Sequence, residues 1–333
     1  MTPAVSIVVP TYDRPDHLAR ALRSCLRQTS PPEEVLVMDN GQNPKTATTV
    51  AAAAENAAVP IRHVRCEPFN LRGALARGIE MAAAEWLILL DDDDFLLDDR
   101  IAGDRETIHG LPGDVILLVH DFLRADYKSR IVWAHRMADK PLGLREALVL
   151  DHFPPPPAGT WRTAALRRHH SFHLPEGWTD FDLYASALPF GRAEKSGRFG
   201  YVMDDTRAPG RLTTDVKQTL KMVDLHRRRF AEYRRFLGEN GETVGKRLDE
   251  QEAFFAAKSL GFRAFLGSAG RQCRRHPKET LKGVLAPLRA LASRYCGPAL
   301  PRMRGSKSYS FKQFARLCPD LSATIEAERL RSK

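Results

Sequence analysis

A chain of 333 residues, 43% of them hydrophobic, has enough apolar material for one large core or two smaller ones, and neither collagen-like nor disordered composition applies. Five scattered cysteines (Cys25, Cys66, Cys273, Cys296, Cys318) form no Cys-x-x-Cys pair, which argues against a disulfide framework or structural zinc and fits a reducing cytoplasm. The net charge of +10 is uneven: residues 217–333 hold 26 Lys+Arg against 11 Asp+Glu, a balance of +15, which leaves residues 1–216 at −5.

The first apolar run, VSIVV (Val5 to Val9), is too short for a secretory segment and reads as a strand. No stretch reaches the roughly 18 apolar residues of a membrane span, so a soluble or peripheral protein is expected. PDHLARALRSCLRQ follows, with Leu18, Ala21, Leu22, Cys25 and Leu26 at helical spacing and Pro15 suited to a first turn. EVLVMD (Glu34 to Asp39) and IRHVRC (Ile61 to Cys66) are the next strands, and the Ala-rich LRGALARGIEMAAAE is a helix. WLILL (Trp86 to Leu90) and VILLV (Val115 to Val119) complete the strand set. This alternation predicts an α/β fold with a mostly parallel sheet covered on both faces, in which ligands sit at the carboxyl ends of the strands.

That rule puts Pro10 to Arg14, Asp39 to Gly41 and Asp91 to Asp94 on one rim, since each directly follows a strand. Asp91 to Asp94 admit two readings. An Asp-x-Asp at a strand end, either Asp91 with Asp93 or Asp92 with Asp94, can aim two hard carboxylates at Mg²⁺ or Mn²⁺. Alternatively the run is an acidic turn that caps the next helix together with Asp98 and Asp99. Asp39 can accept the imide N–H of a uracil or the hydroxyls of a ribose, or it can form an ordinary Asx turn, since DNG is a strong turn tripeptide. PTYDRP offers Thr11, Tyr12 and Asp13, with no glycine-rich phosphate loop there, which argues against a dinucleotide dehydrogenase or a Walker-type nucleotidase.

VSIVVPTYDRPDHLARALRSCLRQTSPPEEVLVMDNG, followed by NLRGALARGIEMAAAEWLILLDDDDFLLDDRI, resembles the nucleotide-binding half of a glycosyltransferase family 2 enzyme of the GT-A fold. The resemblance covers about the first hundred residues well and continues loosely to about residue 215. It implies a catalytic domain over residues 1–215, divided into a nucleotide-binding half (1–100) and an acceptor-side half (101–215). Residues 216–333 then form a basic, mainly helical region.

The family likeness implies an inverting transfer from a nucleoside diphosphate sugar, usually UDP-linked, to a glycan or lipid-linked acceptor, with Mn²⁺ or Mg²⁺ as cofactor. A non-catalytic nucleotide- or glycan-binding scaffold of the same fold is the alternative. Asp39 would contact the uracil, and Pro10, Thr11, Tyr12 and Asp13 would line the base and ribose site. Asp93 would bind the metal directly with Asp91 in support, Asp92 would face the ribose, and Arg72 and Arg77 would lie near the diphosphate. The helix departs from the family's usual Ala-Arg-Asn at Gly78.

Within EGWTDFDLYASAL, Asp180 takes the place of the family's catalytic base and Asp182 is the runner-up. Helix capping is the plainer role for Asp180. Trp178 and Trp161 are candidates for stacking on a sugar, or core aromatics. His169, His170 and His173 read as a polar surface, with an extra metal ligand as the other possibility. Arg207 and Arg211 resemble a late basic motif that closes over the diphosphate.

In the basic region, Arg227 to Arg229, Arg234 and Arg235 lie on an amphipathic helical pattern, and LKGVLAPLRALASRY suits a membrane surface. Peripheral membrane contact or an acidic polymer is expected rather than nucleic acid, as no base-reading motif is visible; a solvated helical face is the plainer alternative.

Overall fold

The computed structural model describes residues 2–55, 57–66, 71–137, 154–168, 190–206 and 306–331, with Leu183, Tyr184 and Ala187. VSIVVPT is buried along its whole length, the pattern of a parallel strand covered on both faces, and forms β1 (Val5–Thr11). The helix opened by Pro15 is α1 (Pro15–Leu26), followed by β2 (Glu34–Asp39), α2 (Lys45–Ala54), β3 (Ile61–Arg65), α3 (Leu71–Met81) and β4 (Trp86–Leu89). Of these only α2 lacked a sequence signal. It buries just Thr46 and Val50, so no apolar stripe marks it.

Strands β3, β2, β1 and β4 lie side by side and parallel, in that order. The crossovers from β1 to β2 and from β2 to β3 run one way, and the crossover from β3 to β4 returns to the far side of β1. Right-handed connections therefore put α1 and α2 on one face and α3 on the other. The order reverses between β1 and β4, and at such a switch point the two flanking loops part and leave a crevice.

The second half is mixed. After β5 (Phe95–Leu96) and α4 (Arg100–Ile108), β6 (Val115–Asp126) continues well beyond Val119, and β7 (Ile131–His135) folds back on it. Next, β8 (Gly159–Arg162) is inserted antiparallel between β4 and β6, and α5 (Thr163–Arg167) follows. Here Arg167 donates to the carbonyls of Ile79 (3.2 Å) and Ala82 (2.5 Å), closing the carboxyl end of α3. Finally β9 (Arg192–Asp204) pairs with both β5 and β6.

The end of the chain returns to this sheet. In register with β7 runs β10 (Ser306–Ser310), antiparallel, and it leads into α6 (Phe311–Leu317) and α7 (Pro319–Arg331). A capping box starts α6: Ser310 Oγ accepts from Gln313 N–H at 3.2 Å, and Gln313 Oε1 accepts from Ser310 N–H at 2.9 Å. Phe311, Phe314 and Ile325 join Phe95, Leu123, Val132 and Val202 in a second apolar cluster beside the main core. Glu328 of α7 is 0% exposed and pairs with Arg27, the residue that caps the carboxyl end of α1, at 2.5 Å. Residues 306–331 are thus tied to the sheet and to α1. Among the described residues no helix is long and apolar enough to cross a membrane.

Gly78 explains one departure from the family pattern. A Cβ there would lie 2.5 Å from Val8 Cγ1 and 3.1 Å from Met38 Cγ, so α3 rests on the sheet more closely than any side chain at 78 allows. Gly78→Ala is expected to destabilise the fold by about 1–3 kcal/mol through overpacking, read as a lower urea midpoint at an unchanged m-value.

His135 stacks on Phe122 with ring centroids 4.6 Å apart and planes 7° from parallel. Burial, aided by Arg124, pushes its pKa down from 6.5 to about 4. The unfolded chain thus binds a proton at this histidine between pH 6.5 and 4 that the folded chain does not, and stability falls as pH drops through that window. The loss is about 2–3 kcal/mol by pH 4.5. His135→Phe should flatten this acid limb, measured as the difference between urea midpoints at pH 7 and pH 4.5.

Candidate active site

The crevice between β1 and β4 is lined by the two sequence motifs that follow those strands. Thr11, the last residue of β1, is buried and donates its Oγ1 hydrogen to Asp92 Oδ2 at 2.7 Å. Arg14, at the start of α1, reaches across to Asp92 Oδ1 at 2.7 Å and Asp93 Oδ2 at 3.0 Å. Asp92 is 1% exposed; burial pushes its pKa up to about 6 against the pull of Arg14. Pro10 is buried inside β1.

The four aspartates divide by direction. They form a turn closed by Asp94 N–H to the Asp91 carbonyl at 3.1 Å. Asp92 and Asp94 point inward and are buried, whereas Asp91 and Asp93 are partly exposed on the rim. Asp94 Oδ1 accepts from the backbone N–H of Asp204 at 3.0 Å, at the end of β9. Arg20 of α1, itself buried, pairs with Asp204 Oδ2 at 2.7 Å and donates to the Asp93 carbonyl. The turn does not serve as a helix cap. Asp99 stands at the start of α4 with no side-chain cap bond, and Asp98 pairs with Arg27 at 3.2 Å.

On the other side of β1, Asp39 is 1% exposed. Its Oδ1 accepts from Gly41 N–H at 3.0 Å, the expected Asx contact. Its Oδ2 accepts from Arg65 Nη1 at 2.6 Å and contacts His63 Nε2 at 3.0 Å. Asp13, at φ 56°, accepts the N–H groups of Gln42 and Asn43 at 2.6 Å each and so ties the β1 loop to the β2 loop. A Cβ at Gly41 would lie 2.4 Å from Asp13 Oδ1, so this bracket requires glycine. Tyr12 is 55% exposed, its ring available at the rim.

Arg77 of α3 is exposed and near enough to Cys66 to oppose the upward push that burial and Asp39 give that thiol. Arg72 lies in the first turn of α3, and its side chain falls outside the described residues. Asp180, Asp182, Trp178, His169, His170, His173, Arg207 and Arg211 also lie outside them, as does the stretch from 207 to 305. Trp161 is a core residue of β8, fully buried, with its ring centroid 4.9 Å from that of Tyr184, and offers no face to a sugar.

With this geometry in place, the comparisons are informative. Residues 6–130 match the family model for glycosyl transferase family 2. Over this segment, which is less than half of the chain, the sequence is similar to that family. An uncharacterised glycosyltransferase of Haemophilus influenzae is 26% identical over 170 residues, 46% of this chain and 66% of that protein. The validoxylamine A glucosyltransferase of Streptomyces hygroscopicus subsp. limoneus is 38% identical over 93 residues. That alignment covers 27% of this chain and 20% of that enzyme, so the chain spans two thirds or less of the length of either relative. The crystal structure of S. aureus TarS 1-349 in complex with UDP-GlcNAc superposes with a TM-score of 0.55 at 14% identity, covering 88% of this chain and 92% of that one. The fold is thus that of the GT-A enzymes, as the resemblance implied.

The partly exposed pair, Asp91 and Asp93, suits a hard divalent cation held by one or two carboxylates and completed by substrate phosphates. No three His, Cys, Asp or Glu side chains converge as a closed metal cage among the described residues. Sequence reasoning placed Arg14 on the rim without giving it a role, and it missed Arg20, His63 and Arg65. Arg20 carried no sequence signal, since it lies on the face of α1 opposite Leu18, Ala21, Leu22 and Cys25, and its partner Asp204 lies 184 positions away. Arg20→Met should leave Asp204 buried without its cation and cost about 3–5 kcal/mol, measured by urea denaturation, with Arg20→Lys losing less.

Proposed function

We propose that the chain is an inverting, metal-dependent glycosyltransferase that moves a hexose from a UDP-linked donor to a glycan or lipid-linked acceptor. The observation that carries this reading is the pair of partly exposed carboxylates, Asp91 and Asp93, above an inward pair of which Asp92 meets Arg14 and Asp94 accepts the Asp204 N–H, at the switch point of the sheet. Asp39, Pro10, Thr11, Tyr12 and Asp13 frame the nucleoside end of the donor, with the exposed Tyr12 ring against the base. Asp92 meets the ribose once Arg14 gives way. Arg72 and Arg77 approach the diphosphate, where a guanidinium matches phosphate oxygens in planar pairs.

Mn²⁺ or Mg²⁺, held by Asp93 with Asp91 in support, supplies positive charge that stabilises the departing diphosphate. Asp180 accepts the proton of the acceptor hydroxyl as its oxygen bonds to the anomeric carbon and the bond to the diphosphate breaks, with inversion at that carbon. The basic region from residue 216 onward is a candidate for peripheral contact with anionic lipid, on its charge balance of 26 Lys+Arg to 11 Asp+Glu over residues 217–333.

The test pairs two variants with UDP-, GDP- and dTDP-sugars, with and without Mn²⁺. The wild-type chain should release the nucleoside diphosphate and show a metal-dependent thermal shift. Asp93→Ala should lose both, whereas Asp180→Ala should keep the shift and lose about 10²–10⁴-fold in turnover. Absence of both release and thermal shift with every sugar nucleotide would sink the proposal, and retained turnover in Asp180→Ala would point to a different base.

A further inference from the structure

Asp39 carries more hydrogen-bond donors than a turn requires. As an Asx residue it needs only the Gly41 N–H on Oδ1, yet Oδ2 also takes Arg65 Nη1 at 2.6 Å and His63 Nε2 at 3.0 Å. Both donors come from β3, the edge strand of the sheet, and being two residues apart they share one face. Arg65 is the last residue of β3 and stands in register with Asp39 across the parallel pair. Three of the carboxylate's roughly four acceptor sites are thus filled from within the protein, and the group is 1% exposed. Arg65, in contrast, has a side chain 49% exposed at the rim.

From this juxtaposition we infer that Arg65, supported by His63, reads the nucleobase jointly with Asp39 and selects bases with an imide edge; this rests on the donor-site reading above. A buried acceptor directly beside a half-exposed planar donor is the complement of an N–H next to a carbonyl. Uracil and thymine present that edge at N3–H and O4, guanine at N1–H and O6. Cytosine and adenine present the inverse, a bare ring nitrogen beside an amino group, which would set acceptor against acceptor and donor against donor. Arg65 also controls access. Its guanidinium covers Asp39, so an imide N–H reaches the carboxylate as the guanidinium shifts aside, and the shifted group then meets the adjacent carbonyl. The exchange leaves no buried partner unpaired for an imide base and leaves one for the others, the condition under which polar sites discriminate strongly.

The experiment is calorimetric titration of the full chain in Mn²⁺ with UDP, GDP, CDP and ADP, for wild type, Arg65→Gln and Arg65→Lys. All three proteins are first matched by melting temperature, which the exposed edge position of Arg65 favours. Wild type should bind UDP or GDP at least about tenfold more tightly than CDP and ADP, Arg65→Gln should shrink that ratio about tenfold, and Arg65→Lys should fall between. An arginine that only neutralises Asp39 would weaken all four ligands alike and leave the ratio unchanged. That result, or equal wild-type affinity for CDP and UDP, overturns the inference and leaves the proposed function standing. If none of the four nucleotides binds, the inference and the donor-site reading fall together.

Discussion

Four adjacent aspartates at the end of a buried strand are stable only if cations are brought to them, and this protein brings them from one helix and its approach. Arg14 clamps Asp92 and Asp93 just before α1, Arg20 holds the Asp93 carbonyl and Asp204, and Arg27 pairs with Asp98. Arg23 and Arg27 then meet Glu328 at 3.6 and 2.5 Å. Arg20, Arg23 and Arg27 recur at i, i+3 and i+7, so a single helical face carries these charges in line. One side of α1 thereby stabilises the acidic rim and receives the returning carboxyl-terminal helix.

This arrangement links fold to chemistry. A carboxylate that is desolvated without compensation becomes neutral, and Asp92, with its pKa pushed up to about 6 even beside Arg14, shows how strong that tendency is here. The inward aspartates therefore act as structure: they hold the loop after β4 against β1 through Thr11 and against β9 through Asp204. Rigid support of this kind lets the outward pair keep a fixed direction without a closed cage of ligands. Of the two arginines at this turn, Arg14 is the solvent-facing one, with a side chain 42% exposed, whereas Arg20 is buried.

Legibility followed sequence distance. Elements whose evidence is local were readable: β1, β2 and β4 from unbroken apolar runs, α1 from its stripe, and the rim from the rule that links strand ends to ligands. Elements stabilised by remote partners were not. Nothing within GTWR predicts β8, which exists because β4 and β6 leave an antiparallel slot between them. Similarly, β10 is short, and its place was hidden because β7, the strand it pairs with, lies some 170 positions earlier. In the site, Asp39 was visible as a turn former, and its Asx contact to the Gly41 N–H is present. His63 and Arg65 carried no site signal, because an alternating pattern reports burial and says nothing about the neighbour across the pair.

The sequence left open which alternate pair in Asp91 to Asp94 serves a metal ion; the structure bears on a narrower question, which pair faces outward. Spacing could not decide it, because both pairs are Asp-x-Asp. The structure resolves it through Thr11: one hydroxyl at the end of β1 lies 2.7 Å from Asp92, which fixes that residue inward. The turn then carries Asp94 inward as well, to the N–H of Asp204, and leaves Asp91 and Asp93 on the rim. The threonine of PTYDRP is therefore the contact that sets the parity of the acidic run. Parity is a property of the β1–β4 pair, so it becomes visible only when those two strands are placed side by side.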